Sequence, residues 1–259
     1  QHMNRQEFQQ LLQNEIVSLQ ETVSTEHGEW IVKGFIDTER NIYTISADTK
    51  VISKIMELLI FPRIKDFAER NHLQWLPCSE QNFYPDITFI DNENNKFAVD
   101  IKSTYRKNET QVNGMTLGAF TGYFRDRTSS KNIMFPYDDY AGHFVLGLIY
   151  SRCTKIDEGK IHHLDELNNI PSVAKDIVFF VQEKYRIATD RPGSGNTKNI
   201  GGVTDIEDLI HGNGTFSRLG ESIFDDYWMY YLTNDMAKAA ELPAPYYKNI
   251  EEYKKLKGI

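Results

Sequence analysis

The stretch YPDITFIDNENNKFAVDIKST, residues 84–104, predicts two short strands joined by a polar turn. Residues 87–90 and 96–104 are rich in β-branched and aromatic side chains, which pack well on a pleated surface. Residues 91–95, Asp-Asn-Glu-Asn-Asn, have the composition of a turn, because short polar side chains hydrogen-bond to the local backbone. The sequence therefore predicts a β-hairpin at this point in the chain.

Three charged side chains of this hairpin are predicted to converge at one edge of a sheet. A symmetric turn places Asp86 opposite Asp100, and directly opposed residues hold their Cβ atoms roughly 4.5–5.5 Å apart. Alternation along the strand puts Asp100 and Lys102 on one face, while Val99 and Ile101 point into a core. Two carboxylates this close repel each other unless a cation lies between them, and oxygen-only ligands suit Mg²⁺. With a lysine to orient or deprotonate a water, the set indicates phosphodiester hydrolysis.

A simpler interpretation of the hairpin stays open at this point. Pro-Asp followed by Asp-x-Lys also occurs by chance, and a plain amphipathic hairpin with a solvated charged face would show the same residues. Glu57 has two interpretations as well, because it stands among apolar positions of a predicted helix. Acidic residues are rarely buried unless paired, which favours an exposed carboxylate, and the alternative is a third carboxylate near the metal site.

Composition limits the class of protein. The 259 residues are 40% hydrophobic and 25% charged, which is ordinary for a soluble globular chain. A net charge of −8 argues against a protein that coats nucleic acid, but not against a DNA enzyme whose basic residues line one cleft. No apolar run reaches the length of a membrane span and no secretory signal begins the chain, so we expect a cytoplasmic protein without a membrane partner. Cys78 and Cys153 lack metal-ligand spacing and are expected to be reduced thiols.

Apolar spacing and turn signals outline the remaining elements. Asp48 is the predicted N-cap of a long helix that Pro62 should kink or divide. His162 and His163 are interpreted as a surface pair. The chain shows no internal repeat and no linker long enough to split it, so one domain is expected over residues 4–259. The predicted elements are a helix over 4–22, strands within 28–45, the long helix from 49 toward 70, buried strands over 144–150 and 176–184, and a mostly helical final third from residue 206. The predicted packing face of this final third is Tyr227, Trp228, Tyr230, Tyr231 and Leu232.

The loop RPGSGNTKNIGG, residues 191–202, is unusual in composition. Its glycines let the backbone approach a partner closely, while Ser194, Asn196, Thr197 and Asn199 supply donors and acceptors. A phosphate cradle is one possibility, although the Gly-Lys-Ser/Thr ending of a P-loop is missing. A second is entry into a DNA major groove, where asparagine binds adenine edges. A flexible surface loop is the third interpretation.

Several segments together resemble the EcoRV-type type II restriction endonucleases of the PD-(D/E)xK superfamily. They keep the same order and approximate spacing from about residue 40 to about residue 232. The similar segments are GSGNTKNIG (193–201), QNFYPD (81–86), DIK (100–102), ADTK (47–50) with Glu57, TLGAFTGYFR (116–125), KNIMFPYDDY (131–140) and FDDYW (224–228).

The resemblance implies an α/β (α+β) fold, a central mixed β-sheet flanked by helices, in a U-shaped homodimer that cuts double-stranded DNA. Residues 30–45 and 160–172 would form the dimer interface. The implied cofactor is Mg²⁺, with Mn²⁺ able to substitute, and no small-molecule organic cofactor is expected. Asp86 and Asp100 match the family's metal-binding aspartates, Lys102 its active-site lysine, and Glu57 an acidic residue near that site. The implied DNA-binding residues are Gln81 and Asn82 near the cut; Thr116, Gly118, Thr121 and Arg125 at phosphates; and Gly193, Ser194, Gly195, Asn196, Thr197, Lys198 and Asn199 in the base-reading loop.

The sequence also departs from the family pattern. Lys198 stands where the family loop carries an uncharged residue, Ala119 replaces a glycine, and Met229 stands where a basic residue is expected. Since residues 193–197 match, the expected target is a GATATC-like palindrome cut to blunt ends. Two alternatives stay open: a structure- or damage-directed repair nuclease on the same scaffold, and a non-cleaving DNA-binding relative.

Overall fold

A five-stranded mixed β-sheet forms the centre of the molecule, with helices packed against it. The computed structural model describes residues 3–46, 48–153, 159–193 and 198–259. The helices are α1 (Arg5–Asn14), α2 (Ile16–Val23), α3 (Thr49–Arg70), α4 (Lys184–Ile187), α5 (Ile206–His211), α6 (Glu221–Tyr230), α7 (Asn234–Ala239) and α8 (Ile250–Lys257). The strands are β1 (Gly34–Ile36), β2 (Asn41–Thr44), β3 (Gln74–Pro77), β4 (Ile87–Ile90), β5 (Lys96–Tyr105), β6 (Thr116–Ala119), β7 (Tyr140–Arg152), β8 (Ile161–His163), β9 (Ala174–Glu183), β10 (Ala188–Pro192) and β11 (Asn199–Gly202).

The central sheet has the strand order β3-β4-β5-β7-β9. β5 and β7 run parallel, whereas the other neighbours are antiparallel, so the sheet is mixed as expected. The predicted hairpin is β4 and β5, and its register pairs Ile90 with Lys96 and Ile87 with Val99. The symmetric turn is therefore confirmed. The Asp91 side chain closes this turn by accepting hydrogen bonds from the backbone N–H groups of Glu93 and Asn95.

The sheet separates two apolar cores. Val99 and Ile101 belong to the core that α1, α2 and α3 cover, whereas Ala98 belongs to the core on the opposite face, beneath the C-terminal helices. The alternation predicted for β5 is thus confirmed. Tyr227, Trp228 and Tyr231 pack into the second core as expected, but Tyr230 is 57% exposed and was wrongly placed on that face.

Helix α3 begins as its sequence predicts. The Asp48 carboxylate accepts hydrogen bonds from the backbone N–H groups of Lys50 and Val51 at 2.8 and 3.3 Å, which satisfies two of the unpaired donors at a helix start. Pro62 lies within the helix but does not divide it. The predicted first helix, by contrast, is two helices that meet at Glu15, whose carboxylate forms an ion pair with Arg70.

Two small sheets flank the central one. The first has the order β1-β2-β8, and the second the order β10-β11-β6. His162 in β8 is 6% exposed and contacts Glu166, so the interpretation of His162 and His163 as a surface pair is wrong for His162. Cys78 and Cys153 are free thiols. Over the described residues, no helix is long and apolar enough to span a membrane.

Candidate active site

The start of β4 and the middle of β5 bring the two predicted metal-binding aspartates together. The Asp86 backbone N–H donates a hydrogen bond to Asp100 Oδ1 at 3.0 Å, and the Ile101 N–H donates to Asp86 Oδ2 at 2.7 Å. Lys102 Nζ lies 4.0 Å from Asp100 Oδ2. These contacts follow from the hairpin register, which sets Asp86 beside Asp100 one residue beyond the last pair of the ladder.

The two carboxylates are electrostatically frustrated. Burial, followed by the charge of Asp100, raises the pKa of Asp86 to about 7. Near neutral pH the pair therefore holds a proton for part of the time unless a cation is present. This donor set fits a divalent ion such as Mg²⁺, which takes one or two carboxylates and completes its shell with water and phosphate oxygens. In the part of the chain that the structure describes, no three His, Cys, Asp or Glu side chains converge on a metal position.

A cavity of about 770 Å³ opens in front of this pair. It collects predicted residues from distant parts of the sequence, and asparagine, threonine and glycine give it a polar wall. The predicted site residues that line it are Asn82, Asp86, Asp100, Lys102, Thr116, Gly118, Thr121 and Asn199. Gln81 is exposed beside Asn82 but does not line the cavity.

Glu57 lies across Lys102 from the aspartates. It lines a neighbouring cavity of about 610 Å³, and Lys102 and Thr116 border both cavities. Its carboxylate lies 3.6 Å from Lys54 Nζ, and burial raises its pKa. Glu57 is thus near the site on its α3 side, but it does not join the two aspartates in one ligand cluster. Its predicted role stays a prediction.

Arg125 makes contacts with the protein backbone. Its Nε donates to the Phe120 carbonyl oxygen at 2.9 Å and its Nη2 donates to the Tyr231 carbonyl oxygen. The guanidinium also lies over the Phe120 ring, 5.7 Å from the ring centre. Arg125 therefore ties the 116–125 segment to the end of α6, and its predicted phosphate contact stays a prediction.

The base of the glycine-rich loop lies beside the cavity. β11 pairs with β6, which sets Asn199 opposite Ala119. The Gly193 N–H donates to the Asn199 carbonyl oxygen at 2.9 Å and closes the loop base, with Lys198 exposed next to it. A Cβ atom at Gly193 would lie 2.4 Å from Thr116 Cγ2, so any larger residue there would force the Thr116 side chain to move. The predicted base-reading residues Ser194, Gly195, Asn196 and Thr197 lie outside the described residues.

Comparisons with known proteins identify the family of this chain. The family model described as "Restriction endonuclease EcoRV" matches residues 26–258. The chain belongs to the EcoRV restriction endonuclease family. It is 38% identical over 233 residues to the type II restriction enzyme EcoRV of Escherichia coli, covering 88% of this chain and 91% of that protein. A solved NlaIV restriction endonuclease aligns with a TM-score of 0.41 and 11% identity, covering 96% of this chain and 89% of the other.

As a member of the EcoRV family the chain is a site-specific deoxyribonuclease. Its mixed sheet flanked by helices confirms the expected fold class. Asp86, Asp100 and Lys102, from the segments that resemble the family's PD and DIK motifs, all line the cavity.

Sequence reasoning missed a buried polar cluster behind the cavity. Tyr84 Oη lies 2.8 Å from His143 Nδ1, and both rings stack on Tyr137. Lys184, only 3% exposed, inserts its ammonium among these rings. No local pattern marked Lys184, which stood at the end of a predicted buried strand. The one sequence signal for Lys184 is that a lysine ends a predicted buried strand.

The buried imidazole of His143 predicts acid sensitivity. Burial lowers its pKa well below 6.5, and the nearby Lys184, Arg127 and Arg5 charges act in the same direction. Below about pH 6.5 the unfolded chain takes up a proton that the folded chain refuses, so folding stability falls as pH falls, by at most about 1.4 kcal/mol per pH unit.

The measurement is thermal unfolding of the wild type and of His143→Gln between pH 7.5 and pH 5. Other groups titrate in both proteins, so the difference between the two curves isolates His143. We expect the variant to lose less stability than the wild type over this range. Parallel losses in the two proteins would contradict the assignment.

Proposed function

We propose that this chain is a Mg²⁺-dependent endonuclease that hydrolyses both strands of DNA at a short palindrome, GATATC-like, leaving blunt ends. The observation that carries the proposal is the meeting of Asp86, Asp100 and Lys102 in a polar cavity whose rim includes Asn199 at the base of the glycine-rich loop. The residues proposed to cleave DNA therefore lie next to the base of the loop that is proposed to read its sequence. The family membership supports the same reaction.

The residues divide the work by their chemistry. Asp86 and Asp100 would hold the divalent ion, which supplies Lewis-acid activation of the phosphate and charge neutralisation. Lys102, with its ammonium 4.0 Å from Asp100, is placed to orient the attacking water and to stabilise negative charge on phosphorus. Glu57 lies on the far side of Lys102, where its carboxylate acts on the lysine's electrostatic environment.

Three residues are proposed to contact the sugar-phosphate backbone of the DNA and so to position the duplex. Thr116, Thr121 and Asn82 line the cavity with hydroxyl and amide groups, which suit sugar-phosphate contacts that fix register without reading sequence. Base reading is assigned to residues 193–199, since asparagine binds adenine edges in the major groove and a threonine methyl contacts thymine. Lys198 is the position where this chain's target preference could differ from that of its relative.

A second copy of the chain is proposed to cover the outer face of the β1-β2-β8 sheet. Phe35, Tyr43 and Ile161 are opposed across the three strands, and they are 53%, 43% and 53% exposed. Leu164 and Leu167, in the turn of helix that follows β8, are 43% and 39% exposed. We call these five residues the apolar face. A small three-stranded sheet with such a face is marginal alone, and a symmetric dimer matches a palindromic target.

The single domain over residues 4–259 is proposed to consist of this dimerisation subregion, around 30–45 and 160–172, and a catalytic and DNA-binding remainder. The location we propose is the bacterial cytoplasm, where the DNA substrate is found.

Digestion of a mapped plasmid tests the proposal directly. The plasmid carries one GATATC site, and the reaction is run with Mg²⁺, with Mn²⁺ and with EDTA, followed by sequencing of the cut ends. We expect one blunt cut per site in either metal and none in EDTA. Cuts at another fixed sequence would correct the target, heterogeneous cuts at damaged or branched DNA would indicate a repair nuclease, and binding without cleavage would indicate an inactive relative.

A further inference from the structure

A buried lysine lies directly behind the wall of the active-site cavity. Lys184 is 3% exposed, and its Nζ atom lies 4.7 Å from the ring centre of Tyr84, 5.4 Å from that of Tyr137 and 5.8 Å from that of Phe124. The cavity wall at this point is Gly118, and a Cβ atom there would lie 3.4 Å from Nζ. The ammonium is therefore separated from the cavity by a single glycine and the ring of Tyr84.

This ammonium is costly to bury. Among the described residues its Nζ has no hydrogen-bond partner. An unpaired charge in an apolar environment is strongly unfavourable, and cation–π contacts with the surrounding rings offset only part of that cost. A methionine would fill the same cage without a charge. Packing of the cage therefore does not by itself require a positive charge at residue 184.

The charged group that most favours the Lys184 ammonium belongs to the active site. Burial lowers its pKa to about 8, so the side chain stays mostly protonated at neutral pH. Among its charged neighbours, Asp100 favours the ammonium most, and Asp225 also favours it, whereas Lys102 and Arg127 oppose it. Its field therefore acts on the same aspartate that Lys102 approaches from the cavity side.

We propose that Lys184 is a positioning residue of the nuclease site: from behind Gly118, its buried charge offsets the negative charge of Asp86 and Asp100 and makes the cavity attractive to a DNA phosphate. Lys184 touches neither the DNA nor the reacting atoms. It acts through its electrostatic field, and through the Tyr84 ring that precedes Pro85 and Asp86. This inference rests on the proposed function.

Removal of the Lys184 charge should leave stability equal or higher and strengthen Mn²⁺ binding, but slow DNA cleavage. A purely structural role of Lys184 would not produce this combination. In Lys184→Met the cage accepts a neutral side chain of similar length, so the unfolding temperature should stay equal or rise. A site with one positive charge fewer should bind Mn²⁺ at least about three- to tenfold more tightly, which is the effect expected for a unit charge and a divalent ion several ångströms apart even at a dielectric constant close to that of water. Cleavage should slow, because the phosphate meets less positive charge.

The experiment measures Mn²⁺ binding to the DNA-free full chain by electron paramagnetic resonance, thermal unfolding, and single-turnover cleavage at saturating Mg²⁺. Lys184→Arg keeps the charge and should return Mn²⁺ affinity toward that of the wild type. Phe124→Leu is the matched control, because it alters the same cage without changing charge. It should lower the unfolding temperature and leave Mn²⁺ affinity unchanged.

Equal Mn²⁺ affinity in the wild type and Lys184→Met, including no binding by either, would overturn the proposal. A Lys184→Met chain that unfolds earlier or does not fold would also overturn it, because the lysine would then be structural. The Mn²⁺ and unfolding measurements need no DNA cleavage. If the wild type cuts no DNA, the proposed function fails while these two measurements still decide the role of Lys184.

Discussion

Asp100→Asn is expected to reduce the rate of DNA cleavage by at least about 10³-fold while the chain stays folded. Asparagine keeps an oxygen that can accept the hydrogen bond from the Asp86 N–H, now 3.0 Å long, but it carries no charge. A divalent ion contributes several kcal/mol of transition-state stabilisation, and each 1.36 kcal/mol corresponds to about tenfold in rate. Loss of one of two carboxylate ligands removes most of that contribution.

Single-turnover cleavage with enzyme in excess measures this effect, with thermal unfolding recorded in parallel. Asp91→Asn is a suitable control, since Asp91 is a second buried acid of the same hairpin, 8% exposed, that serves the turn. The control should lose stability but keep its cleavage rate within a few-fold. If Asp100→Asn cut the plasmid as fast as the wild type, the assignment of Asp100 to the metal site would be wrong.

Phe35→Asp is expected to convert a dimer into monomers and to remove double-strand cleavage at low protein concentration. Phe35 belongs to the apolar face and is 53% exposed, so a charge there costs the isolated protomer little. Within a dimer the carboxylate would be buried against apolar side chains. That costs several kcal/mol, which corresponds to at least about a 100-fold rise in the dimer dissociation constant.

Sedimentation or light scattering gives the oligomeric state, and cleavage is followed over a range of protein concentrations. Tyr246→Asp is the matched control, because Tyr246 is also aromatic and 60% exposed but lies near the C-terminus, outside the apolar face. It should leave both mass and cleavage unchanged. A wild type that sediments as a monomer, or a dimeric Phe35→Asp, would contradict the proposed interface.

The structure of the hairpin could be predicted from local sequence, including its register. Alternation of apolar and polar side chains and a five-residue polar turn led to the register in which Ile87 faces Val99, and the structure has that register. The Asp48 cap of α3 was also predictable, because a capping side chain acts on backbone groups two and three residues away. Such features are short-range and leave a direct mark in the sequence.

Features that depend on packing were predicted less well. Trp228 and Tyr230 are two positions apart in an aromatic-rich segment, yet Tyr230 is 57% exposed and Trp228 is fully buried. His162 looked like a surface residue, although it is 6% exposed in β8, where it pairs with Ile42 of β2. Helical periodicity ran through Glu15, where the structure breaks the helix and Arg70 pairs with the acid. At Glu15 the partner is 55 positions away in sequence, where local periodicity carries no information.

By itself, the sequence determined the hairpin that carries Asp86, Asp100 and Lys102, because their relative placement needs only a turn and the two-residue period of a strand. It also determined the family, through motifs distributed along the chain. Only the tertiary structure decided what surrounds the hairpin. Pairing of β6 with β11 brings Asn199 to the rim of the cavity, and the sheet places Lys184 behind its wall. These contacts join residues up to about 100 positions apart, so they depend on the order of strands and on close packing rather than on local pattern.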